Sequence, residues 1–124
     1  MNSFDVCVIG QIVKDYNFIP SKGKSFVKSP GGTAFYSTHA YHLLGLKTAV
    51  LTSFNNNDIF NLTPGFRNGK ISIFNSVNAT TTEFRNFYRK NKLNFRSQEA
   101  IFNNRPVSGK LVKAKIYHFG PLIL

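Results

Sequence analysis

Residues 30–52 read PGGTAFYSTHAYHLLGLKTAVLT. Pro30-Gly31-Gly32-Thr33 is a turn, Ala34 to Leu44 runs without a breaker, and Gly45 ends it near a C-cap, so the spacing predicts a helix with glycines at both ends. Ala34, Ser37, Thr38 and Ala40 keep that helix slim, which suits close packing on a sheet. Lys47-Thr48-Ala49-Val50-Leu51-Thr52 follows as a β-rich run. Upstream, Phe4-Asp5-Val6-Cys7-Val8-Ile9 ends at Gly10 and reads as a buried strand. Phe4 to Thr52 is therefore expected to form a strand, an insert, a helix and a strand, the order of a parallel βαβ unit. The class is α/β.

Within the insert, Gln11 to Asn17 leaves the first strand with one acid, Asp15, just past the strand's carboxyl end. In open α/β sheets ligands bind at that end. Ser21 to Ser29 is polar with a short strand signal at Ser25-Phe26-Val27. Beyond Thr52 the chain turns polar through Asn55-Asn56-Asn57-Asp58, and Pro64 and Gly65 argue against a helix there. Ile71 to Val77 and Thr80 to Arg89 alternate as strands do, and Asn94 to Phe102 is ambiguous. Leu111 to Phe119 reads as a further sheet strand ending at Gly120-Pro121. No internal repeat or linker interrupts the 124 residues, which suit one domain and not two.

Composition narrows the function. Lys plus Arg number 16 against 5 Asp plus Glu, a formal charge of +11, while 42% of residues are hydrophobic and 15% aromatic. Such a chain can bury a core, so disorder of the whole is excluded. Positive charge favours phosphates, but the longest basic run is Arg89-Lys90. Arg85, Phe87, Tyr88 and Arg89 interleave cations with aromatics, as a single-strand nucleic-acid platform would. The alternation equally suits a half-buried strand with charges outward and aromatics inward, the reading preferred here. Cys7 stands alone, which excludes an intramolecular disulfide and a multi-cysteine zinc site. The N-terminus lacks a basic lead-in, so no signal peptide is expected. The longest uncharged stretch, Ser29 to Leu46, holds Pro30, three glycines, two serines, two threonines and two histidines and is no membrane span. A cytoplasmic protein without membrane contact is expected.

Several sites are weighed and set aside. Gly23-Lys24-Ser25 ends like a P-loop, but Phe18 stands where the first glycine belongs; Gly65 and Gly69-Lys70 are one residue too close. GxGxxG is absent. His39 and His42 share a helix face without an acid in that helix, so packing is expected and not a metal. His118, at a strand end, suits a structural hydrogen bond, and Cys7, mid-strand, an inert core thiol. The sequons Asn61-Leu62-Thr63 and Asn78-Ala79-Thr80 carry little weight without a secretory signal. What remains is Asp15, suited to accept hydrogen bonds from hydroxyls, and Gly31-Gly32, which let backbone N–H groups approach a ligand at a helix N-terminus. Together at one sheet edge they would form a sugar or polyol pocket.

The order Val8-Ile9-Gly10, Asp15, Pro30-Gly31-Gly32-Thr33-Ala34, then Leu44-Gly45 before a strand, resembles the ribokinase-like (PfkB) carbohydrate kinase family. Thr81-Thr82-Glu83-Phe84-Arg85-Asn86-Phe87-Tyr88 and Ile116-Tyr117-His118-Phe119-Gly120-Pro121-Leu122 look like the subgroup with plant inositol 3-kinase-like proteins. The resemblance covers nearly the whole chain. It implies one incomplete ribokinase-like domain over 1–124: part of a central, mostly parallel sheet with a flanking helix, plus lid strands around Ser25 to Lys28 and, in part, Ile71 to Phe87. It implies that Asp15 binds substrate hydroxyls, with Gly31, Gly32 and Thr33 at the substrate pocket and lid hinge. Val13 stands where ribokinase proper has Asn, and Thr33 and Tyr36 replace polar residues used there, though Thr33 fits the inositol-like subgroup. The family's catalytic base lies in a GxGD motif, which this sequence lacks. The resemblance therefore implies no catalytic residue and no cofactor site in this chain, although full-length members use ATP and Mg. The expected function is the substrate-binding part of a carbohydrate or polyol kinase, inactive alone, with a C-terminal half or a second copy as possible protein partners. The alternative is a stand-alone basic binding module, with nucleic acid a less favoured partner than a small polyol.

Overall fold

The computed structural model describes residues 3–20, 26–58, 64–76, 80–89, 92–101, 107 and 109–120. Eight strands, β1 (Phe4–Ile9), β2 (Val13–Phe18), β3 (Phe26–Gly31), β4 (Thr48–Thr52), β5 (Ser72–Asn75), β6 (Glu83–Arg89), β7 (Lys92–Ile101) and β8 (Ala114–Phe119), accompany α1 (Thr33–Leu43) and a short α2 (Pro64–Arg67) among those residues. They form two four-stranded sheets. The main sheet has the order β5-β4-β1-β8, all parallel; the second has the order β3-β2-β6-β7. In the second, β2 pairs antiparallel with β3 and parallel with β6, and β6 pairs antiparallel with β7. The predicted βαβ unit is present, since β1 and β4 are parallel neighbours joined through α1. The β2–β3 hairpin is the insert.

Burial explains the main sheet. Val6, Cys7 and Val8 of β1 and Ala49 and Val50 of β4 are fully enclosed. On one face Phe35 of α1 stacks on Phe66 of α2, ring centroids 5.2 Å apart, over Val6, Val8 and Val50. Cys7, Ala49, Leu51 and Phe4 form the other face with Val112 and Ala114. The Cys7 thiol is pushed up by burial, as expected of an inert core thiol. α1 ends as its glycine requires: Gly45 takes φ 83° and its N–H reaches His42 O at 3.0 Å, while Leu46 N–H reaches Tyr41 O at 3.2 Å. His118 bonds as expected, its Nδ1 lying 2.6 Å from the Tyr41 hydroxyl across the α1–β8 contact.

Several readings change, among them the expectation against a helix at Pro64-Gly65, where the short α2 forms. Asp15 lies inside a strand, β2, and not in a loop leaving β1. The residues VKDYNF alternate in facing, but Lys, Asp and Asn are poor strand formers and hid the signal. The stretch 71–87, expected to supply lid strands only in part, divides accordingly: β5 joins the main sheet beside β4, while β6 belongs to the second sheet. Asn94 to Ile101 falls within the long β7, and the last strand starts at Ala114 instead of Leu111. On β6 aromatics are not segregated inward. Phe84 and Tyr88 share a face with buried Asn86, and Phe87 shares the other with exposed Arg85 and Arg89. Ser21 to Ser25, Val77, Phe102, Pro121 and the Asn61 and Asn78 sequon positions lie outside the described residues.

Candidate functional site

The two sheets meet at a polar hinge. Three connections cross there: Gly10 to Ile12 between β1 and β2, the end of β4, and Thr81-Thr82 before β6. Ile12 N–H donates to Thr52 Oγ1 at 2.9 Å, Thr82 Oγ1 to Gln11 Oε1 at 2.6 Å, and Lys14 N–H to Thr82 O at 2.9 Å. Thr81 accepts from Asn55 N–H and donates to Asp58 Oδ2, each at 2.8 Å. Lys14 then bridges the units: its ammonium lies 3.4 Å from Asp58 and 3.6 Å from Glu83, whose other oxygen holds Arg85 Nε at 2.9 Å. Arg85 is thus engaged by an acid, which counts against a bare cationic strand poised for nucleic acid.

Asp15 sits two residues beyond the hinge, paired in register with Ser29 on β3 and Phe84 on β6. Its carboxylate rests directly on Gly31, where any Cβ would run into Asp15 Oδ2 and stand 2.8 Å from its Cγ. Glycine at 31 is therefore required by close approach and not by φ. Gly32, the α1 N-cap, is the position that needs positive φ, at 93°, and no side chain caps the helix there. Thr33 opens α1 exposed to solvent, and its Cγ2 lies over Gly120. The structure thus brings Asp15, Gly31 and Gly32 together at the helix start, with Thr33 on the adjoining edge.

Tyr36 lies one turn into α1, its ring edge-on to Phe35 at 5.3 Å. Its hydroxyl is held above the ordinary tyrosine range by burial first, then by the negative charge of Asp15 and by Tyr88. The residue as a whole is 59% exposed. Asp15 and Tyr88 lie on the same face of the second sheet, the face on which the Asp15 carboxylate rests against Gly31 at the start of α1. Between them lies a row of amides that the sequence reading did not single out. Asn86 Nδ2 donates to Asn17 Oδ1 at 2.9 Å, and Gln98 Nε2 donates to Asn86 Oδ1 at 2.8 Å. Asn17 and Asn86 are 69 positions apart, and only the β2–β6 register joins them. The available signal was the Asp15-x-Asn17 spacing, which places both on one strand face.

Chemically the site offers an acceptor, backbone N–H groups at a helix start, a hydroxyl and an amide row, a set suited to a polyhydroxylated neutral ligand. Among the described residues no three His, Cys, Asp or Glu come together in a group that could hold a metal ion. Among the same residues no helix is long and apolar enough to cross a membrane.

No family model and no curated protein sequence matches the chain. Solved structures do. A pyrophosphate-dependent kinase in the ribokinase family, in a sulfate complex, aligns with TM-score 0.75 and 22% identity over 94% of this chain and 41% of its own. A pyrophosphate-dependent kinase of that family complexed with a pyrophosphate analog and myo-inositol gives TM-score 0.72 and 21% identity over 94% and 40%. The nucleoside kinase of Methanocaldococcus jannaschii, an archaeal ribokinase-family member, gives 0.68 and 14% over 93% and 44%. The chain spans about two-fifths of the length of each of these proteins. Its two sheets and flanking helix have the fold of ribokinase-family kinases.

Proposed function

We propose that residues 1–124 are one incomplete ribokinase-like domain, the substrate side of a kinase acting on a sugar or polyol. The observation that carries this reading is the Asp15 carboxylate seated on Gly31 beside the uncapped start of α1. A carboxylate there accepts hydrogen bonds from ligand hydroxyls. Gly31 and Gly32 keep the approach clear, and the Thr33 hydroxyl adds a donor at the edge. The contribution of these residues is orientation, holding one hydroxyl where a phosphate donor can reach it. The fold alignments with kinases, one in complex with myo-inositol, support the substrate class.

The resemblance places the family's base in a GxGD motif, which this sequence lacks, so the role assigned to these residues is binding and positioning. A partner carrying the rest of such a fold would lie along β8. That strand pairs on one side with β1 and shows Ile116, Tyr117 and Phe119 to solvent. Parallel strands of this apolar kind are normally covered on both faces.

Calorimetric titration of the chain with myo-inositol, fructose and ribose tests the reading, alongside a phosphotransfer assay with ATP and with pyrophosphate. Binding of at least one polyol is expected, weakened about ten- to a hundredfold in Asp15→Asn, as for loss of a charge-assisted hydrogen bond. Transfer by the chain alone should stay at background. Equal binding by Asp15→Asn would sink the assignment of Asp15, and turnover by the chain alone would sink the incomplete-domain reading.

A further inference from the structure

Resting on that reading, we infer that Asn17 is a second hydroxyl-reading residue of the site, that Asn86 positions it, and that the pair selects a cyclic polyol. The amide row has a direction. Asn17 Oδ1 accepts from Asn86 Nδ2, so Asn17 is left with its Nδ2 as a donor group. Asn86 spends its oxygen on Gln98 and one N–H on Asn17, and it is only 3% exposed, so it is a fixed link and not a contact surface. Gln98, exposed on β7, anchors the far end. The result is an oriented donor at Asn17 on the strand face that carries the acceptor Asp15.

Two features favour a role in recognition over one in stability alone. A sheet face is stabilised most by β-branched and aromatic cross-strand pairs, and here the central pair is Asn17 with Asn86. The row also lies between Asp15 and Tyr88 on one face of the sheet, the face on which Asp15 rests against Gly31 at the start of α1. Asp15 and Asn17 are two residues apart on one strand, about 6.6 Å along its axis. That separation suits hydroxyls on opposite sides of a six-membered ring better than adjacent ones. A donor and an acceptor at that distance read one hydroxyl as donor and the other as acceptor.

The test is titration of the full chain with myo-inositol and its monodeoxy analogues, one hydroxyl removed at a time. In the wild type two removals should each weaken binding about tenfold, the worth of one good hydrogen bond. Asn17→Leu should erase the penalty for one of those hydroxyls and keep the other, while Asp15→Asn should do the reverse. Asn86→Leu should flatten the Asn17-dependent penalty with no residue of its own in contact, and Asn17→Gln, which keeps an amide, should retain part of it. A merely structural amide row would lower stability in these variants and leave the pattern of penalties unchanged, which would overturn the inference. Asp15-dependent binding of ribose or fructose without binding of myo-inositol would overturn it too and leave the proposed function standing. If no polyol binds, the proposed function and the inference fall together.

Discussion

The main sheet and the second sheet are held by different physics. In the main sheet, neighbouring positions of β1 and β4 are apolar and fully buried, and two aromatic rings from the helices stack above them. In the second, the buried side chains on β6 are Glu83 and Asn86, and the strands are keyed by ion pairs and amides. Aromatic contact there is looser, with Phe18 and Phe87 ring centroids 6.4 Å apart. Burial of apolar area supplies the stability of the first and is indifferent to direction. Polar pairing adds little net stability but fixes register and side-chain aim. A sheet built the second way suits a ligand-facing lid, because its polar groups are already oriented.

The largest effect should come from breaking the apolar layer. Phe35→Ala removes a ring that is 4% exposed and stacked on Phe66, and should cost about 3–5 kcal/mol. Against a total of about 5–15 kcal/mol, urea unfolding should show a midpoint shifted far down. A shift below about 1 kcal/mol would mean that the helix layer does not support the main sheet. Phe35→Leu, which keeps most of the volume, should recover most of the loss.

A smaller effect, confined to the second sheet, should follow from Lys14→Met. The ammonium sits between Asp58 and Glu83, with side chains 11% to 23% exposed. Removing it leaves two acids facing an apolar tip, although Arg85 still holds Glu83. Between the limits for exposed and buried pairs, about 1–3 kcal/mol is expected. Hydrogen exchange should quicken in β2 and β6 and stay unchanged in β1 and β4. Uniform quickening in both sheets would erase the distinction drawn between them.

The same contrast explains which parts were legible in the sequence. β1, α1 and β4 carry apolar runs bounded by glycines, and their positions follow within a residue or two. Parallel pairing follows from their order. β2 was missed because Lys14, Asp15 and Asn17 argue locally for a loop, and only its neighbours β3 and β6 make it a strand. Asp15 and Gly31 stood out in the sequence as separate candidates, but their direct contact did not, since it depends on the Val13–Gly31 register. The Lys14 bridge and the Asn17–Asn86 pair were invisible for the same reason: their partners are 44 to 69 positions away. Tyr36 was read only as a departure from ribokinase proper, and the influence of the Asp15 charge on its hydroxyl follows from the fold and not from the sequence.

The smallest effect isolates a charge at the rim of the main sheet, where polar pairing supplements the apolar core. Asp5 Oδ2 accepts from Lys47 N–H at 2.7 Å, and Oδ1 lies 3.5 Å from Lys115 Nζ, so one carboxylate ties β1 to the start of β4 and to β8. The Lys47 backbone N–H is the main cause that holds its pKa below the ordinary 3.8; desolvation, next in size, opposes it, and the Lys115 charge lowers it by less. A carboxyl depressed on folding adds stability that is fully present above its unfolded value and lost as pH falls through the folded one. The loss should therefore begin near 3.8 and continue below it. Asp5→Asn keeps an oxygen for the Lys47 N–H and loses only the charge. At neutral pH its urea midpoint should lie slightly below the wild type, and the two should converge on acidification. The gap should also narrow in high salt, because the Lys115 contact is solvent-exposed and screened. A gap that persists through acid would show that the Asp5 side chain acts by shape, and the rim of the main sheet would then owe nothing to charge.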